Sequence, residues 1–70
     1  MSLSIAENVA LLTNKNNSVA YEALQALRKA SEETDSVYLY IDRFSEMLDS
    51  DNAYIRTRGL TLLACNAKWV

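Results

Sequence analysis

Cys65 is the only thiol in this 70-residue chain, and the chain has no histidine. Zinc and iron–sulfur sites draw several ligands from Cys and His, so one thiol builds neither. Without histidine, no Ser/His or Cys/His pair can activate a nucleophile. Carboxylates are plentiful, with pairs at Glu32/Glu33 and, one helical turn apart, Asp42/Glu46. General acid–base work needs a cleft that desolvates such a pair. These lie in a joint between helices and on a polar helix face, so they read as solvated surface. The single glycine, Gly59, rules out a glycine-rich phosphate loop. The expectation is a chain that is no enzyme and takes no metal and no cofactor.

The remaining chemistry-bearing residues are cations. Net charge is −2, yet beyond residue 50 Arg56, Arg58 and Lys68 stand against Asp51 alone. Such an asymmetry can steer an acidic partner toward one face. With Arg28 and Lys29 these residues could form a basic strip that grips a nucleic-acid backbone. Nucleic-acid-binding domains usually have a pI above roughly 9, whereas the pI here is about 4.9. Nucleic acid is therefore the alternative partner, and protein the leading one.

The elements that carry these residues repeat. Laying each residue over the one 36 positions later matches Ile5 with Ile41, Leu12 with Leu48, Asn16 with Asn52 and Val19 with Ile55. The register continues through Ala23/Gly59, Leu24/Leu60 and Leu27/Leu63. A period in this range marks helical hairpins that stack to bury a shared apolar face. Ser4 to Glu7 has the form of a capping box, and the stripe Ile5, Val9, Leu12 predicts helix one over 4–13. Asn14 to Ser18 makes a joint rich in capping side chains. Helix two, 17–32, is alanine-rich and apolar on more than one side, with Glu22, Gln25 and Lys29 outward. Asp35 is the expected N-cap of helix three, 36–48, whose stripe is Val37, Ile41, Phe44 and Leu48. Helix four, 52–68, follows the joint at Ser50 to Asn52. A mid-helix glycine costs about 1 kcal/mol against alanine. Gly59 stands where the first repeat has Ala23, so a close approach of the neighbouring backbone is the expected reason for it.

Asp51, Ile55-Arg56, Gly59, Leu60 and Leu63 together resemble the second helix of a HEAT repeat. That helix opens with an aspartate-bearing turn, then a Val/Ile-Arg pair, a small residue and leucines. The stretch from Ser50 to Leu60 is also similar to small bacterial HEAT-like proteins loosely labelled "SufBD protein". No residue here supports the iron–sulfur chemistry that label implies. In the first repeat Ala20 occupies the arginine position. The resemblance implies an all-α fold, a short right-handed α–α superhelix of the HEAT/armadillo type. It would have four helices in two hairpins, repeat one spanning 4–32 and repeat two 36–68 of a single 1–70 domain. It also implies a ladder contact from Arg56 to Asp51, with Asp49 as the rival partner, and a scaffold that binds proteins.

Stacked hairpins present a concave face on their second helices. The candidate protein-binding residues there are Tyr21, Glu22, Gln25, Arg28, Lys29, Arg58, Thr61 and Lys68. The chain has only two repeats and ends on Ala67-Lys68-Trp69-Val70 with no polar tail. It is therefore expected to be part of a longer array or to pair with itself through Leu62 and Trp69, most simply as a two-fold dimer. No apolar run approaches the roughly 18 to 20 residues of a membrane span. No secretory signal is legible at Met1 to Ser4, and the lone cysteine fits a reducing compartment. Cytoplasm is the expected location.

Overall fold

The computed structural model describes residues 3–69, and the expectations attached to Met1, Ser2 and Val70 lie outside it. Four α-helices follow one another: α1 (Ile5–Leu11), α2 (Asn17–Glu33), α3 (Ile41–Met47) and α4 (Ala53–Asn66). A 3₁₀ turn, Ser36–Tyr40, leads into α3, and another, Ala67–Trp69, ends the chain of elements. No strand occurs among the described residues. α1 packs on α2, α3 on α4, and α2 against α4. The Cα atoms span 29 × 28 × 14 Å, a slab two helices thick given the usual 8–10 Å between packed axes.

The helix starts are where the capping residues place them. Ser4 Oγ accepts from the Glu7 amide at 3.1 Å, and the Ser4 amide donates to Glu7 Oε1 at 2.8 Å. Asn16 Oδ1 accepts the Ser18 and Val19 amides. At the same offset of 36, Asn52 Oδ1 accepts those of Tyr54 and Ile55. The preceding hydrogen bonds repeat too: Asn14 Oδ1 takes the Asn16 amide and Ser50 Oγ takes the Asn52 amide. The repeat is thus a repeat of hydrogen bonds as well as of residue types.

Helix three departs from its expected form. Asp35 makes no side-chain cap; Thr34 Oγ1 accepts the Ser36 amide instead. Without that cap, and with β-branched and aromatic residues of modest helix propensity in Val37-Tyr38-Leu39-Tyr40, the segment winds as the tighter 3₁₀ form. Val37, Phe44 and Met47 are buried, while Leu48, expected in the stripe, is 39% exposed.

One core cluster joins the hairpins: Val9, Leu12, Ala23, Leu24 and Leu27 from the first, and Val37, Phe44, Met47 and Leu62 from the second. Gly59 lies where α4 meets α3. A Cβ there would sit 2.7 Å from the Phe44 carbonyl oxygen and 2.8 Å from Met47 Cβ. The close approach expected at this position is present, and it explains why the glycine stands mid-helix.

Candidate functional site

Helices α2 and α4 run side by side in the same direction, tied at both ends by donors from the second hairpin. At one end Arg58 reaches across to hairpin one. Its Nη1 donates to the Leu12 carbonyl at 3.0 Å and its Nη2 to Asn17 Oδ1 at 3.1 Å. Leu12 is the C-cap of α1, and the last carbonyls of a helix have no partner of their own. A cation from hairpin two therefore satisfies the end of a helix in hairpin one, where the dipole also favours positive charge. At the other end the Trp69 indole N–H donates to the Ser31 carbonyl at 3.0 Å, among the last carbonyls of α2. Asn66 Nδ2 donates to Ser31 Oγ at 3.1 Å and to the Leu62 carbonyl at 2.8 Å.

Between those ties lies an open groove of about 500 Å³, lined by Asn17, Ser18, Tyr21 and Leu24 of α2 and Tyr54, Thr57 and Arg58 of α4. Leu24 forms its buried floor. Tyr21 and Tyr54 stand on its two walls, 60% and 62% exposed. Aromatic side chains left this open, with few rotatable bonds and a phenol that hydrogen-bonds in water, are well suited to gripping a partner. Arg58 stiffens one wall: its guanidinium lies 5.9 Å from the Tyr54 ring centroid while its hydrogen bonds face inward.

The expected binding residues are not gathered at one place. Tyr21 and Arg58 share the groove. Arg58, expected on the surface, is 6% exposed, because its donors are spent on closing the hairpins together. Glu22 belongs to a different groove, with Leu3, Leu11, Val19 and Ala26. Arg28 Nη1 lies 3.5 Å from Gln25 Oε1 one turn away. Lys29 is exposed on α2. The Thr61 hydroxyl donates to the Thr57 carbonyl of its own helix, and the Lys68 ammonium lies 5.2 Å from the Trp69 ring centroid.

The residues expected to drive self-association are placed inward. Leu62 is fully buried in the core and has no surface to offer a second copy. Trp69 is half-buried, its indole turned onto α2. Arg56 donates to the Ser50 carbonyl at 2.7 Å, a backbone partner in place of the aspartates that the resemblance implied. Of the expected basic strip, Arg58 points in and Arg56 holds its own turn, while Arg28, Lys29 and Lys68 are exposed. Asn17, Ser18, Leu24, Tyr54 and Thr57 are the groove residues absent from the expected binding set. The repeat offset carries a signal for them, since Tyr21 maps onto Thr57 and Ser18 onto Tyr54.

Among the described residues no group of His, Cys, Asp and Glu side chains could hold a metal ion, and no helix is long and apolar enough to cross a membrane. No protein-family model, curated protein or solved structure matches the chain.

Proposed function

We propose that this chain is a protein-interaction module of the HEAT-like, α–α superhelical kind, and that it grips an extended segment of a partner protein in the groove between α2 and α4. The observation that carries this reading is the pair of exposed tyrosines, Tyr21 from α2 and Tyr54 from α4, that line one groove with the buried Leu24. A groove of this composition takes an apolar side chain between two rings and leaves the partner's backbone within reach of both phenols and of Thr57. Arg58 positions Tyr54 and does not itself reach the partner. The module performs no chemistry, needs no cofactor and works in the cytoplasm.

The test compares the partners recovered from the source cell by the wild type, by Tyr21→Ala/Tyr54→Ala and by a control at the distant exposed Glu32→Gln. Both tyrosines are exposed, so the double variant keeps the wild-type melting temperature to within a few degrees. It should lose the partners that the wild type and the control both retain. Recovery of the same partners by all three proteins would place the binding face elsewhere.

A further inference from the structure

Hairpin one is covered by hairpin two through a face that recurs, 36 residues on, uncovered. In the covered copy Leu12 and Leu24 are 0% and 8% exposed, and Ser31 is buried beneath Asn66 and Trp69. Their counterparts Leu48, Leu60 and Ala67 are all exposed, Leu60 at 61%. Leu48 and Leu60 line one open groove with Ala53, Arg56 and Thr57. The converse holds at the opposite edge. Arg58, Leu62 and Asn66 are the buried residues by which α4 sits on hairpin one. Their counterparts Glu22 and Ala26 are exposed beside Leu3, Leu11 and Val19, and Ala30 is half-buried. The slab therefore has two unlike edges. Each is a copy of one half of the junction already made inside the molecule.

We propose that a second copy of this chain docks head to tail, the edge of Glu22 and Ala26 in one molecule settling on the edge of Leu48 and Leu60 in the next. The proposal rests on the repeat reading of the fold given above. Charge complementarity selects this occupant. On the receiving edge Arg56 stands where hairpin one has Ala20, and on the docking edge Glu22 stands where hairpin two has Arg58. Inside the chain the docking residue is a guanidinium that meets oxygen acceptors. Between chains the docking residue is a carboxylate and the receiving edge carries the guanidinium. Arg56 commits one N–H to the Ser50 carbonyl, and a guanidinium has five, so donors remain for Glu22. The contact is heterologous. The two edges do not overlap, so every bound copy offers a fresh one and the assembly grows past two chains. This differs from a two-fold pairing through Leu62 and Trp69, of which Leu62 is fully buried.

Sedimentation equilibrium from micromolar to hundreds of micromolar tests it. The wild-type weight-average mass should rise with concentration past that of two chains. Leu60→Glu spoils the receiving edge and Ala26→Glu the docking edge. Both positions are exposed, so each variant should keep the wild-type circular dichroism and remain a single chain. An equimolar mixture should form a one-to-one dimer and stop there, because one intact edge of each kind survives; a two-fold interface yields no such dimer. Glu22→Arg should weaken association by about tenfold through like charge against Arg56, and adding Arg56→Glu to the same chain should restore it. A wild type that stays a single chain at every concentration overturns the proposal, and so does a mixture of the two edge variants that fails to dimerise. Tyr21→Ala/Tyr54→Ala should associate as the wild type does. Loss of captured partners by that variant thus reports on the groove, and loss of self-association by the edge variants reports on the row.

Discussion

Gly59 and Asn66 show how little freedom single positions have in so small a core. Replacing a helical glycine by alanine contributes about 1 kcal/mol of helix propensity, whereas forcing a methyl into a packed site costs typically 1–3 kcal/mol. At Gly59 the obstacles are the Phe44 carbonyl and Met47 Cβ, neither of which is the loose end of a side chain. Packing should win, and Gly59→Ala should lower the free energy of unfolding by about 1–2 kcal/mol in a urea titration. A neutral result would mean that α3 slides away without cost. Asn66 presents the opposite case. It is fully buried, its Nδ2 is satisfied and its Oδ1 has no partner. An unsatisfied buried acceptor costs about 1–3 kcal/mol, while replacing it by an apolar group of similar shape can be neutral or better. Ser31 Oγ keeps its own bond to the Leu27 carbonyl at 2.7 Å without Asn66. Asn66→Leu is therefore expected to unfold at equal or higher urea, and a loss of more than about 1 kcal/mol would show that the bond to Ser31 outweighs the orphaned oxygen.

Helix by helix, stability begins at the caps. Asn16 and Asn52 make the same two hydrogen bonds in the same register, so alanine at either position should cost a similar amount, about 1 kcal/mol, measured by denaturant midpoint. A cost confined to one of them would mean the other helix is held by packing alone. α1 depends on pH as well. The Ser4 amide, and then its hydroxyl, hold the Glu7 carboxyl below its usual range, against a smaller opposing effect of desolvation. The folded value lies below the unfolded one, so the contribution is complete above the unfolded carboxylate pKa and is lost as pH falls through the lowered value. The protection factors of the α1 amides, taken relative to the intrinsic exchange rate at each pH, should therefore fall on acidification in the wild type, and should lose that pH dependence in Glu7→Gln. These starts were legible in sequence because Ser, Asn and Glu side chains act on amides two or three residues away. Asp35 misled because a capping residue type is not a cap until the backbone presents its amides. Leu24 and Leu60, identical in type and repeat position, differ in burial because only one has a helix laid over it. The groove shares that limit: helix spacing is enough to place Tyr21, whereas Tyr54 stands beside Arg58, whose own position is set by Leu12 and Asn17 of the other hairpin.

Each hairpin is about half of a 70-residue chain, below the roughly 40 residues at which a lone core becomes hard to sustain. Neither owns a core, since Leu12, Leu24 and Leu27 pack in one cluster with Phe44 and Leu62. The polar ties cross the same boundary at its two ends, Arg58 on Leu12 and Asn17, and Trp69 on Ser31. Helices of 7 to 17 residues draw most of their stability from such packing, and an isolated one is marginal in water. The molecule should therefore unfold as one unit even when one tie is cut. Arg58→Ala removes two charge-assisted hydrogen bonds and leaves the Leu12 carbonyl buried without them, a loss on the order of 2–4 kcal/mol. Trp69 fluorescence reports on the end of the junction far from Arg58, and far-ultraviolet circular dichroism reports on all four helices. In a urea titration of Arg58→Ala both signals should move to lower denaturant by the same amount and remain superimposed. If the tryptophan signal kept its wild-type midpoint while the dichroism shifted, the two ends of the junction would be separable and the shared core would not couple them. A core cluster drawn from both hairpins leaves no intermediate in which one hairpin stands while the other melts, and the coincidence of the two signals follows from that sharing.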